Sequence, residues 1–166
     1  MLTSIKSQAV RRKFAGEFWH CWACGICMSM RTPDIDYPRW LETHHIVKRG
    51  RSDSRANLSR LCKLCHDVVE GLQVRLANGE RMPPLPLSAV LWLKSRWDAE
   101  HYDRPLLAAL AGRAVPRATR PSEWYMRQLR DRAKSASTGG WRSREVLLDC
   151  PAAAGQYHGA NNECHG

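Results

Sequence analysis

The sequence predicts an α+β protein: a small domain of two short strands and a helix, clamped by a structural zinc site and followed by helical basic extensions and a disordered tail. Three observations lead there. Cysteines recur at Cys-x-x-Cys spacing in two distant places, "CWACGIC" and "LCKLCH", so that two turns can share one tetrahedral Zn2+. Two runs of strand character, "WLETHHIV" and "LSRLC", flank the loop-type stretch "KRGRSDSRAN". The second run leads into "KLCHDVVEGLQV", where Leu64, Val68, Val69 and Leu72 recur at helical spacing.

Composition narrows the function classes. The 166 residues leave room for one modest domain with extensions, and a single large core is not expected. Basic residues exceed acidic ones by 26 to 16. The excess is clustered: Ile46 to Lys63 holds six basic residues against one acidic, and Arg113 to Arg144 nine against two. Clustered positive charge points to a polyanion partner, nucleic acid first. The N-terminal "MLTSIKSQAVRRKF" has no apolar core of signal-peptide length, and the run around "LPLSAVLWL" is too short to span a bilayer. The expected place is therefore the cytoplasm, without membrane contact. Its reducing conditions disfavour disulfides and leave metal binding or catalysis as the use of cysteine.

In order along the chain, residues 1–18 read as a basic N-terminal extension and 19–80 as the zinc-clamped domain. Residues 81–138 read as a helical basic region and 139–166 as a flexible tail. Within the domain, Cys62 and Cys65 form the second knuckle. The first is open between two pairs, because Cys21/Cys24 has the same spacing as Cys24/Cys27. Gly25, able to turn tightly around a metal, favours Cys24 and Cys27. Closing the 34 residues between Cys27 and Cys62 would stabilise a domain too small to bury enough apolar surface by itself. The strand "LETHHIV" carries adjacent histidines, His44 and His45, and on a regular strand such neighbours point to opposite faces. Only a strand end or a bulge would bring both to one site. His66 and Glu70, four apart on the following helix, share a face. Beyond the turn at Asn78-Gly79, "LSAVLWLKSRWDAEHYDRPLLAALAGR" reads as one or two helices. Asp103-Arg104-Pro105 is a natural start for the second, with Trp92, Leu93 and Trp97 as packing residues. Pro121-Ser122 opens a last basic helix. Cys150, His158, Cys164 and His165 lie in the tail at irregular spacing and read as incidental.

Taken in order, "CGIC", "LETHHIV", Asn57-Leu58 and "LCKLCH" resemble the HNH endonucleases, in particular the zinc-ribbon-bearing kind commonly encoded by bacteriophages. The likeness covers roughly residues 19 to 72. It implies a ββα-metal fold in which His45 is the general base. An imidazole titrating near 6.5 suits the removal of a proton from water at neutral pH. It further implies His44 and His66 as ligands of one catalytic divalent cation, Mg2+ or Mn2+, and Asn57 as the brace of the loop between the strands. Glu70 stands where relatives often carry His or Asn; a carboxylate there suits a hard cation. The basic loop residues Lys48, Arg49, Arg51 and Arg55 would contact DNA phosphates. The products expected by resemblance are 5′-phosphate and 3′-hydroxyl ends. DNA-packaging proteins of a phage are expected partners, and cutting both strands with one metal site per chain calls for a homodimer or two successive nicks. The competing reading is a zinc-clamped DNA-binding or packaging-accessory module without turnover. A purely protein-binding zinc ribbon would leave His44, His45, Asn57 and His66 unexplained.

Overall fold

Leu41–His45 (β1) and Leu58–Cys62 (β2) pair antiparallel, with Leu41 opposite Cys62 and His45 opposite Leu58. The computed structural model describes residues 2–26, 41–48, 52–72, 74–76 and 78–138. Among these, five helices and this two-stranded sheet give the mixed α+β class the sequence predicts. Beyond the paired strands Ile46 N–H donates to Asn57 O at 2.9 Å, so the ladder continues one step into the loop. A single 3-10 turn, Arg55–Asn57, leads into β2. Cys62 closes β2 and stands directly before the helix Lys63–Val69 (α2). The order is strand, loop, strand, helix.

The helix is shorter than its apolar spacing suggests. Gly71 adopts φ 73°, a left-handed conformation that ends the turn, and Leu72 N–H folds back onto Asp67 O at 2.9 Å. Leu64 and Val68 are buried as the periodicity predicts, whereas Leu72, beyond the glycine, is 54% exposed. Glu70 sits just past the helix, its N–H still bonded to His66 O, so the four-residue spacing that puts the two side chains together survives.

The N-terminal stretch forms helix α1, Leu2–Glu17, and its last turn carries Phe14 into the core. Phe14, Phe18 and Trp22 meet in tilted and edge-on pairs with ring centroids 5.0–5.7 Å apart. After α2, Arg75 bridges Arg81 across the expected Asn78-Gly79 turn. Helix α3 spans Leu87–Trp97. Helix α4, Arg104–Ala111, begins as the sequence predicts, with the Asp103 carboxylate accepting from Leu106 N–H and Pro105 in the first turn. Helix α5, Glu123–Thr138, starts after Ser122, whose hydroxyl accepts from Tyr125 N–H. Residues 139–166, with the tail cysteines and histidines, lie outside the described residues.

The buried apolar side chains form one contiguous cluster running from Phe14 to Ala133, where the sequence reading expected no single large core. Helices α1, α3, α4 and α5 each contribute to it. Phe14, Leu91, Leu93, Leu107 and Leu129 all turn inward, and each full burial contributes roughly 1.5–3 kcal/mol. Trp92 and Trp97 pack against the cluster, with Trp97 Nε1 donating to Trp22 O at 3.0 Å. No helix among the described residues is long and apolar enough to cross a membrane.

Inside this cluster lies a charge. Lys94 Nζ is fully buried and donates to Asp98 Oδ2 at 2.6 Å, Arg55 O at 2.6 Å and Leu58 O at 3.2 Å. It also faces the Phe14 and Trp22 rings at 5.6 and 5.7 Å. Burial lowers the Lys94 pKa; burial would raise that of Asp98, but hydrogen bonds from Arg55 and Lys94 outweigh it and hold the carboxyl below its ordinary value. Arg55 joins the same network, its Nη2 2.6 Å from Glu17 Oε2 and 3.0 Å from Asp98 Oδ1. The guanidinium read from sequence as a DNA contact is thus engaged within the protein, tying α1 and α3 to the loop between the strands. A buried ion pair that loses one partner leaves the other charge uncompensated, so Asp98→Ala should destabilise the metal-loaded protein by about 3–5 kcal/mol, measured by denaturant unfolding.

Candidate metal centres and the strand-end histidines

Two turns bring four buried cysteines together. Cys21, Cys24, Cys62 and Cys65 place their Sγ atoms within 4.8 Å of one another. Cys24 and Cys62 sulfurs are 3.7 Å apart, close to the separation of about 3.8 Å that four Zn–S bonds of about 2.3 Å impose in a tetrahedron. These residues fit a metal ion such as zinc. The first knuckle uses Cys21, where the sequence reading favoured Cys27, which lies outside the described residues. Gly25, at φ 77°, follows the Cys21/Cys24 pair: its N–H bonds Cys21 O at 2.9 Å while Cys21 N–H bonds Ile26 O at 2.8 Å, closing the turn around Cys21 and Cys24. Burial raises the pKa of the Cys21 thiol, but hydrogen bonds from Cys24, Cys62 and Cys65 outweigh it and bring it well below its ordinary value, as suits a cation-binding cluster. The second knuckle holds Cys62 and Cys65 as the sequence reads them.

A second group forms between β1 and the end of α2. Ligand atoms of His44, His66 and Glu70 lie within 4.8 Å of one another. Glu70 Oε1 is 3.6 Å from both His44 Nδ1 and His66 Nε2, near the spacing of roughly 3.0–3.4 Å that a cation with bonds of about 2.1 Å would enforce. His44 is 4% exposed, and burial, then the neighbouring His66, lowers its pKa to about 4, so the ring is neutral and able to ligate. Burial would raise the Glu70 pKa, but the hydrogen bond and charge of Lys48 outweigh it and hold the carboxyl below its ordinary value. Lys48 itself pairs with the other carboxylate oxygen. His66 Nδ1 is hydrogen-bonded to Glu42 Oε2. Because a carboxylate only accepts, this leaves the Nε2 lone pair turned toward the group. Glu42 was not singled out from sequence, although a signal existed: it lies two residues before His44 and so shares its strand face.

His45 stands apart from these three ligands. The register through Leu58 is regular, no bulge intervenes, and His45 is the last residue of β1. There His45 Nε2 meets Asp53 Oδ1 at 2.7 Å, with Arg11 Nε 3.9 Å from the same oxygen. Asn57, wholly buried, braces the intervening loop as expected of it: its Oδ1 accepts from Val47 N–H at 2.7 Å and its Nδ2 donates to Val47 O and Ser52 O, both at 3.0 Å. Asp53 carries no local sequence signal, being one acid in a polar loop. Of the basic residues expected at DNA, Lys48 is exposed beside Glu70, Arg55 is engaged as above, and Arg49 and Arg51 lie outside the described residues.

Comparison of the chain with known protein families, curated proteins and solved structures finds no match. Two outcomes follow from the geometry. Elemental analysis should find that Cys21→Ser loses tightly bound zinc while Cys27→Ser retains it. For His44 the folded pKa near 4 lies below the ordinary 6.5, so the unfolded chain binds more protons between those values and stability falls as pH drops through that window. His44→Gln should lose this part of the slope in melting curves taken between pH 7 and pH 4 at fixed zinc.

Proposed function

We propose that the protein is a metal-dependent endonuclease of the HNH kind that hydrolyses DNA phosphodiester bonds. The observation that carries this reading is the grouping of His44, His66 and Glu70 beside a strand end where His45 is paired with a carboxylate and Asn57 braces the loop. In this reading His44, His66 and Glu70 would hold one divalent cation, Mg2+ or Mn2+, which would supply positive charge to the scissile phosphate. His45 accepts a proton from water, whose oxygen forms the new bond to phosphorus. The bond to the 3′ oxygen breaks, that oxygen takes a proton from solvent, and the ends are 5′-phosphate and 3′-hydroxyl. Glu42 keeps His66 in the tautomer that ligates. The four-cysteine cluster serves as a structural zinc site, remote from the chemistry in role but adjoining it in sequence, since Cys62 and Cys65 flank the start of α2.

Positive charge supports a polyanionic substrate. Lys48 is exposed at the edge of the group, and Arg113, Arg117, Arg120 and Arg127 are exposed around the approach to α5 and along its first half. Contacts of this type position a duplex without reading its sequence. Purified zinc-loaded protein should convert supercoiled plasmid with Mg2+ or Mn2+. His45→Ala should slow that conversion by roughly 10²–10⁴-fold while retaining zinc. An intact protein that binds DNA in a salt-sensitive manner, yet cuts with neither ion, would instead be the zinc-clamped accessory module.

A further inference from the structure

We propose that Asp53 is the positioning residue for His45, fixing the tautomer and the aim of its ring; this rests on the nuclease reading above. Two independent sets of contacts carry it. The first is the hydrogen bond of 2.7 Å between His45 Nε2 and Asp53 Oδ1, in a partly sheltered place where the two side chains are 18% and 14% exposed. An ionised carboxylate can only accept, so Nε2 carries the hydrogen and the lone pair resides on Nδ1. A base needs that lone pair, and it needs the ring held still while water approaches.

The second set explains why Asp53 is where it is. Asn57 Nδ2 donates to the carbonyl of Ser52, the residue immediately before Asp53. Ser54 N–H, immediately after it, donates to Ser52 Oγ at 3.2 Å, and Asn57 N–H closes onto Ser54 O at 2.8 Å. Asp53 is therefore gripped on both sides by a turn that Asn57 organises. Through Val47 the same amide also fixes the chain two residues beyond His45. Through these backbone contacts the asparagine sets the distance between imidazole and carboxylate, and Arg11 from α1 approaches the same carboxylate oxygen. The brace acts on the base by way of Asp53.

The test uses the full-length, zinc-loaded chain labelled with 15N, with His45 resonances assigned by their loss in His45→Ala. In the intact protein the His45 nitrogen shifts should report hydrogen on Nε2. In Asp53→Asn, of equal size, that preference should weaken or invert. Plasmid cleavage by the same sample should fall about 100-fold in kcat with KM changed by less than about threefold, the mark of a group that matters after binding. Asp53→Glu, which keeps the carboxylate, should recover part of the rate. An unchanged His45 tautomer in Asp53→Asn, or an unchanged kcat, overturns the proposal. If neither the intact chain nor the variant cuts DNA, the nuclease reading falls and takes the catalytic half of the proposal with it. The nitrogen shifts still decide separately whether Asp53 governs the ring.

Discussion

A two-stranded sheet with a seven-residue helix cannot hold itself together, and the rest of this structure depends on the convergence of Cys21, Cys24, Cys62 and Cys65. Cys62 is the last residue of β2 and Cys65 lies in the first turn of α2, so an ion held there fixes the angle at which helix leaves strand. That angle sets where His66 and Glu70 stand relative to His44. Trp22, between the first two cysteines, bonds Arg60 O of β2 through its N–H and lends its carbonyl to Trp97. The knuckle thereby joins the sheet to α3.

Burial of charge is the second organising constraint. Lys94 and Asp98 sit in the apolar cluster, fully hydrogen-bonded, and draw in Arg55 and through it Glu17 of α1. Such a network adds little net stability over a well-packed apolar core, but each member is costly to strand. It determines which helices meet the loop between β1 and β2. That loop carries Asp53 and Asn57, so the network's mechanical effect reaches the strand-end histidines.

The neighbouring histidines of β1 take different partners. Glu42 and His44 face α2, where with His66 and Glu70 they make a concentrated arrangement of two imidazoles and two carboxylates. His45, the last residue of the strand, finds Asp53. Adjacent histidines therefore have different hydrogen-bond partners.

The sequence by itself determined the strands, the helix after the second knuckle, the starts of α4 and α5, and the shared helix face of His66 and Glu70. These follow from local periods: two along a strand, about four along a helix, and Cys-x-x-Cys turns whose chemistry is independent of the rest of the chain. His44 and Asn57 were singled out only through the resemblance. Only the tertiary structure gathers Cys21 and Cys24 with Cys62 and Cys65, since the spacing along the chain is degenerate. Only the tertiary structure could show that Arg55 turns inward, that Lys94 is buried, and that Asp53 meets His45. Each of those depends on an ion pair or hydrogen bond between residues far apart in the chain or across a loop, and no periodicity in a sequence encodes such a meeting.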